Sequence, residues 1–495
     1  MFDSIASAAL VALLAVPARA QWTLTLGGTT GVSAMQMTVA TETNVVVIDK
    51  YEQNPLRDAS GDHSLGSIYS TDSNTVRPLN IKTNSFCATG TWLSNGTLVN
   101  AGGNPRVDIG GGSSANGLQV KSYPAHPTYV LPLVPSSCRL SDGSAIIVGG
   151  AYGGGWTNFD ALNNPTYEFY PQRILMALMF LLDTLPHNMF PHVILLPDNQ
   201  LFMAANSKAN EHGDPPPDLP NKQITVYPMS APAVLLPLTW ENNYKPEVVI
   251  FGGSQLAHGR CYYSADGKVL IMNGAKTGTA GYGNVPDQIG QSNADNPAFT
   301  PVLYDPAAPA GSRFSSAGMP TSNIARLYHS VSTLLPDGRV MIAGSNPNAD
   351  VETRPYKTEY QVEYISPPYM TKTRPTYTGL PAAWNYGQNI TLSVTLPASL
   401  NPPSITVSLM DLGFSTHGVH MDMRMIKLKA TLSSNRKSLV ITGPPNASIY
   451  PRVLLGFILS NGVPSKAQKV LIGTGASPPV NQGAIDNMLA LTGGP

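Results

Sequence analysis

One short pattern recurs five times along this 495-residue chain and restricts its fold more than any other feature. A polar turn with Asp or Asn, usually followed by Gly, leads into an apolar strand that ends in small residues. The pattern reads LSNGTLVNAGG (93–103), LSDGSAIIVGG (140–150), LPDNQLFMAAN (196–206), SADGKVLIMNG (264–274) and LPDGRVMIAGS (335–345). Asn-Gly and Asp-Gly tolerate positive φ and close tight hairpins, and the strand that follows alternates or runs apolar, as in the middle of a sheet. Turn positions 96, 143, 199, 267 and 338 lie 47, 56, 68 and 71 residues apart, close to or longer than the roughly 50-residue kelch blade. Repeated hairpin units at this spacing predict a β-propeller. The competing arrangement is a β-sandwich whose hairpins are alike by chance.

Composition agrees with many short strands and tight turns: 45 Gly and 44 Pro stand between Val, Ile, Leu and Thr runs without a collagen period. Thirty basic residues balance thirty acidic ones and only 12% of the chain is charged. Such a chain has no field to gather nucleic acid or an anionic membrane, and both are excluded as partners. After Ser366-Pro367-Pro368 the texture changes to strands such as ITLSVTL, SITVSLM, KSLVITG and RVLLGFILS. About 100 residues of this kind predict an immunoglobulin-like β-sandwich. The expected organisation is a propeller over 21–366, an immunoglobulin-like domain over 367–475 and a tail over 476–495.

Residues 1–20 read as a signal peptide, with an apolar Ala8–Val16 stretch and an Ala18-Arg19-Ala20 cleavage site, although Asp3 stands where a positive charge is usual. Sequons at Asn95, Asn389 and Asn446 fit a secreted glycoprotein. Three cysteines, Cys87, Cys138 and Cys261, leave at least one thiol without an internal disulfide, and Cys87 is the candidate. The longest internal apolar run, 174–182, falls far short of the roughly 20 residues that span a bilayer.

Three segments carry the chemistry: SFCATGTWLSNGTLVNAGG with Cys87, IARLYHSVSTLLPDGRVMIAGSN with Tyr328 and His329, and DLGFSTHGVHMD with His417. Their residues and order resemble the fungal copper radical oxidases of the glyoxal oxidase type, the galactose oxidase-like group. The resemblance implies an all-β protein: a seven-bladed kelch-type β-propeller followed by an immunoglobulin-like β-sandwich. It implies copper held by Tyr328, His329 and His417, with Tyr328 as general base and Cys87 joined through a thioether to a radical tyrosine. Imidazole and phenolate suit a copper ion that cycles between oxidation states. The implied reaction takes small aldehydes or α-hydroxycarbonyls to carboxylic acids and O2 to H2O2, in a secreted monomer. Gly153-Gly154-Gly155-Trp156 resembles the family segment whose indole covers the crosslink, a role that falls to Trp156 first and Tyr152 second, with a packed turn aromatic as the alternative. Arg326 is either a substrate-orienting group or a solvated strand residue. His420, three residues beyond His417, falls on the opposite strand face and is not taken as a ligand.

The partner tyrosine belongs just before SSCRLSDGS, where Val134 stands. Tyr129 is the nearest tyrosine in sequence. Local breaks also occur at QRILMALMFLLD, a helix-like run, and at GGSQLAHGRCYY. Together the three fit exon boundaries wrongly assigned when the gene was translated into this sequence, with genuine divergence as the other reading. Against the oxidase stands a reading from another class: a secreted pseudoenzyme or glycan-binding propeller that lacks the radical tyrosine.

Overall fold

All five recurring turns adopt one geometry. Gly96, Gly143, Asn199, Gly267 and Gly338 have left-handed φ values between 70° and 93°. In each, the N–H of that residue donates three residues back, as Gly96 does to Leu93 at 3.0 Å, and Leu93 donates across to Thr97 at 2.8 Å. This is a type I turn closed by a bulge residue with positive φ, which explains the Gly or Asn at that position. The computed structural model describes residues 21–480 except 110–111, 115–118, 124–132, 154, 172–174, 211–217, 254–259, 399–402 and 452. The proposed signal peptide and Tyr129 lie outside the described residues.

Seven blades surround an axis. Their inner strands are Gln36–Val39, Thr89–Trp92, Ser136–Arg139, His192–Leu195, Ala233–Leu235, Arg260–Tyr263 and Ser330–Leu334. The last blade is completed by the other end of the propeller sequence. Thr23–Thr29 pairs antiparallel with Gln361–Ser366, with Thr23 opposite Ser366 and Leu24 opposite Ile365, so the ring closes through backbone hydrogen bonds. The expected helix-like run contributes only one described turn, Phe180–Asp183, after a short Met176–Ala177 strand. No described helix is long and apolar enough to cross a membrane.

The C-terminal domain is a sandwich of two sheets. Asn389–Thr395 alternates exposed and buried along its length, the period-2 pattern of a strand with one face on a core. That core gathers Trp384, Leu392, Leu409, Ile426, Ile441, Ile458 and Val470. From this domain a hairpin, Phe414–Thr416 and Val419–Met421, leaves the sandwich and enters the propeller. Phe414–Thr416 adds to the first inner strand, with Gln36 opposite Thr416 and Met37 opposite Ser415. The hairpin touches all seven inner strands. Its fit explains Gly90: a Cβ there would stand 2.3 Å from the Phe414 ring.

Charged and polar anchors hold the hairpin base. Arg139 and Asp411, both almost fully buried, form an ion pair between the third blade and the C-terminal domain. Arg139 also donates to the Trp92 carbonyl at 3.1 Å, and Asp422 accepts the Arg139 N–H at 2.8 Å. Removing one member of such a pair leaves an uncompensated buried charge. Asp411→Ala is therefore expected to destabilise the protein by about 3–5 kcal/mol, read as a lowered denaturant midpoint. A change within error of zero would show that the ion pair does not anchor the hairpin.

Candidate metal centre

His417 occupies the tip of the axial hairpin. With Gly418 it forms a two-residue loop in which both φ values are positive, 45° and 89°, as a type I′ turn requires. Thr416 pairs with Val419 below the tip, so the imidazole is carried at the end of a rigid ribbon. His329 and Tyr328 immediately precede the inner strand of the seventh blade, Ser330–Leu334. Cys87 precedes that of the second blade, in a turn where Ser85 hydroxyl donates to the Asp49 carbonyl at 2.8 Å and Gln36 Nε2 donates to the Ser85 carbonyl at 2.8 Å.

These residues, distant in sequence, converge. His329 Nε2 and His417 Nε2 are 3.0 Å apart, and Cys87 Sγ lies 3.3 Å from His417 Nε2. Rings of Tyr328 and His417 meet edge to face at 5.5 Å. His329, His417, Cys87 and Tyr328 are all buried.

Hydrogen bonds on the far side of each imidazole set the tautomers. His329 Nδ1 donates to the Asn346 carbonyl at 3.0 Å, and Asn346 is itself held by its side chain on Glu52 at 2.6 Å. His417 Nδ1 lies 2.6 Å from Thr416 Oγ1, whose own proton goes to the Met35 carbonyl at 3.2 Å. The hydroxyl thus accepts from Nδ1–H, so in both histidines the unprotonated nitrogen is Nε2, which faces the centre of the site. Burial raises the Tyr328 pKa well above that of a free phenol, and the neighbouring Tyr227 and Cys87 add to the effect. Burial likewise pushes the Cys87 thiol up, so it is held protonated. Two imidazoles and a phenol converging in this way are a donor set that suits copper, whose positive charge favours the phenolate.

Residues 35–263 and 258–369 match the glyoxal oxidase N-terminal family, and residues 374–472 match the galactose oxidase-like early set domain. The chain belongs to the glyoxal oxidase family. Among its relatives, aldehyde oxidase GLOX of Vitis pseudoreticulata is 29% identical over 94% of this chain and 99% of its own length. Aldehyde oxidase GLOX1 of Arabidopsis thaliana is 28% identical over 80% of this chain and 73% of its own. A fungal alcohol oxidase of the AA5 family, solved with copper, shares the fold with a TM-score of 0.66 at 17% identity, covering 92% of this chain and 99% of that one.

Within this glyoxal oxidase fold, Val134 stands beside Cys87. Its N–H donates to the Cys87 carbonyl at 3.1 Å and its carbonyl accepts from Phe190 at 2.9 Å. Its φ is +60°, a region that strains a β-branched residue. Trp156 is half-buried at the edge of the site, donating to the Ala280 carbonyl at 3.1 Å and packing over Gly281. Arg326 takes neither of its expected roles: it is 3% exposed and bound to Glu363 at 2.8 Å and to the Gly344 carbonyl at 2.8 Å, bracing the seventh blade. His420 sits across from Ser415, with its ring against Gly413.

Sequence reasoning missed an aromatic lining. Phe190 stacks on His417 at 4.5 Å, Phe86 meets His329 edge-on at 5.8 Å, and Tyr227 and Tyr282 lie 6.0 and 6.1 Å from Tyr328. Phe86 adjoins Cys87 in sequence and was within reach of motif reading; the others come from separate blades. A cavity of about 350 Å³ opens over the site, walled by Phe86, Cys87, Val134, Tyr227, Tyr282 and Tyr328.

Two copper titrations check the geometry. His329→Ala and His417→Ala are each expected to weaken Cu(II) binding sharply while His420→Ala does not, and equal affinity in all three would remove the ligand assignment. Thr416→Val, which loses the Nδ1 acceptor, is expected to cost about 10- to 100-fold in affinity; an unchanged titration would show that the hydroxyl does not set the His417 tautomer.

Proposed function

We propose that the protein is a secreted copper radical oxidase of the glyoxal type, oxidising small aldehydes or α-hydroxycarbonyls to carboxylic acids with reduction of O2 to H2O2. The observation that carries this reading is the approach of two Nε2 atoms to 3.0 Å beside Tyr328 and Cys87, which themselves line a cavity. The reading includes the division into a signal peptide, propeller, immunoglobulin-like domain and tail at residues 20, 366 and 475, and a monomeric state. The three sequon asparagines, Asn95, Asn389 and Asn446, are exposed, which supports a glycosylated extracellular protein.

Tyr328, His329 and His417 would hold the copper. Bound there, it supplies a one-electron acceptor and a Lewis-acidic position for a substrate oxygen. Tyr328 Oη, as phenolate, takes the proton from the substrate hydroxyl or aldehyde hydrate. The cavity volume is at the small end of ligand sites, which favours a small carbonyl compound. Phe86 and Phe190 keep water from the imidazoles and hold their planes. Cys87 would tune a tyrosine through a thioether, but the residue adjoining it is Val134.

That substitution favours the second reading, a pseudoenzyme that holds copper without efficient turnover. One variant separates the two. In Val134→Tyr, the new phenol replaces a strained β-branched side chain and enters the cavity beside Cys87. Copper-loaded Val134→Tyr is expected to form a Cys87–Tyr thioether, seen as a peptide pair two hydrogens lighter than its sum, and to release peroxide from methylglyoxal at least about tenfold faster than the parent, a barrier change of about 1.4 kcal/mol. Adding Cys87→Ala should abolish the crosslink while copper remains bound. A copper-loaded Val134→Tyr protein with neither crosslink nor peroxide would leave the pseudoenzyme as the better account.

A further inference from the structure

We propose that Asn284 determines substrate specificity: its carboxamide Nδ2 donates a hydrogen bond to a carbonyl oxygen on the carbon next to the reacting one. The site would then take α-hydroxycarbonyls and α-dicarbonyls in preference to simple alcohols and aldehydes of the same size. The inference rests on the oxidase reading above and names the group that recognises the second oxygen of such a substrate.

The cavity over the site is walled mainly by aromatic and apolar groups, and none of the described wall residues carries a charge. Pockets of this kind fix a ligand's orientation through a few placed polar groups. Besides the phenols and the Cys87 thiol, the described wall offers two carboxamides, Asn104 and Asn284. A neutral N–H donor suits a neutral carbonyl oxygen, whereas a substrate carboxylate would enter without a counter-charge.

Of the two, Asn284 has a side chain clamped by a described neighbour. It lies in the loop between the paired strands Ala275–Tyr282 and Ser292–Pro297, and Asn293 on the second strand reaches back to it. The Asn284 backbone N–H donates to Asn293 Oδ1 at 3.0 Å. A backbone N–H can only donate, so this contact decides which end of the Asn293 carboxamide is oxygen. Asn293 Nδ2 then donates to the Ala280 carbonyl at 3.4 Å and to Asn284 Oδ1 at 3.0 Å. The Asn284 oxygen is thereby turned to Asn293, and Nδ2, with its two N–H groups, is the end of the side chain left for a ligand. Asn293 is buried, whereas Asn284 is exposed on the cavity wall.

Gly281 makes room for this pair. Its φ is +103°, and a Cβ there would stand 2.8 Å from Asn293 Nδ2 and 3.1 Å from both Asn284 Oδ1 and Trp156 Cδ1. The carboxamide is thus oriented before a ligand arrives, which lowers the ordering cost of binding.

The test compares hydroxyacetone with 1-propanol, which has a methylene in place of the carbonyl. Each is titrated without oxygen into the full copper-loaded chain, and binding is read from the change in the Cu(II) EPR signal, so no turnover is needed. The parent is expected to bind hydroxyacetone about five- to tenfold more tightly, the worth of one neutral hydrogen bond. Asn284→Asp keeps the backbone bond and the Oδ1 acceptor for Asn293 but exchanges the Nδ2 donor for an oxygen. It is expected to remove the preference for hydroxyacetone while 1-propanol binds as in the parent. Equal binding of the two compounds by the parent, or a preference that survives in Asn284→Asp, overturns the proposal and leaves the copper reading standing. A parent chain that binds no Cu(II), or whose Cu(II) signal responds to neither compound, removes both.

Discussion

Everything at the centre of this protein depends on a hairpin from one domain lying along the axis of another. A propeller axis is lined by inner strands whose apolar and polar groups need a partner, and here the partner is Phe414–Met421. The insertion buries Phe414 against Gly90, pairs backbone with the first blade and places His417 beside His329. Arg139 and Asp411 clamp its base with charges that are costly to bury alone. Such a pair contributes little net stability compared with apolar packing, but it penalises any arrangement in which the hairpin is out of register. The two imidazoles are thus brought together by interdomain docking.

Backbone strain gathers where these parts meet. Cys87, Val134, Phe190 and His417 have φ values of 60°, 60°, 50° and 45°, and His329 has 137°. Non-glycine residues seldom adopt such values, and they persist where surrounding structure over-determines them. Here most of them stand at the loops that enter inner strands, each aiming a side chain at the axis. Hydrogen bonds donated to the Asn346 carbonyl and the Thr416 hydroxyl then fix the imidazole tautomers, so orientation and protonation are set together.

Position 134 shows how separable these layers are. The backbone beside Cys87 keeps its hydrogen bonds to Cys87 and Phe190, and the cavity remains, although the side chain there is valine. The backbone architecture and the convergence of Tyr328, His329 and His417 do not require a tyrosine at position 134.

The five turns were legible in the sequence because each depends on local backbone preference: a Gly or Asn at the position of positive φ, followed by an apolar strand. The run of short strands after Ser366-Pro367-Pro368, ITLSVTL among them, likewise marked the second domain without tertiary information. Cys87, Tyr328, His329 and His417 were recognisable as short motifs. Sequence could not decide that these motifs meet, since Cys87 and His417 are 330 residues apart and only the docking of the hairpin brings them to 3.3 Å. Nor did it reveal Phe190, Tyr227 and Tyr282, each an ordinary aromatic in its own blade. Arg326 was misjudged because its Glu363 partner lies on another strand of the blade, and burial depends on what packs above a strand as well as on the strand itself. Local preference is encoded by neighbours in the chain; the site is made by side chains that become neighbours only when the propeller closes around the hairpin.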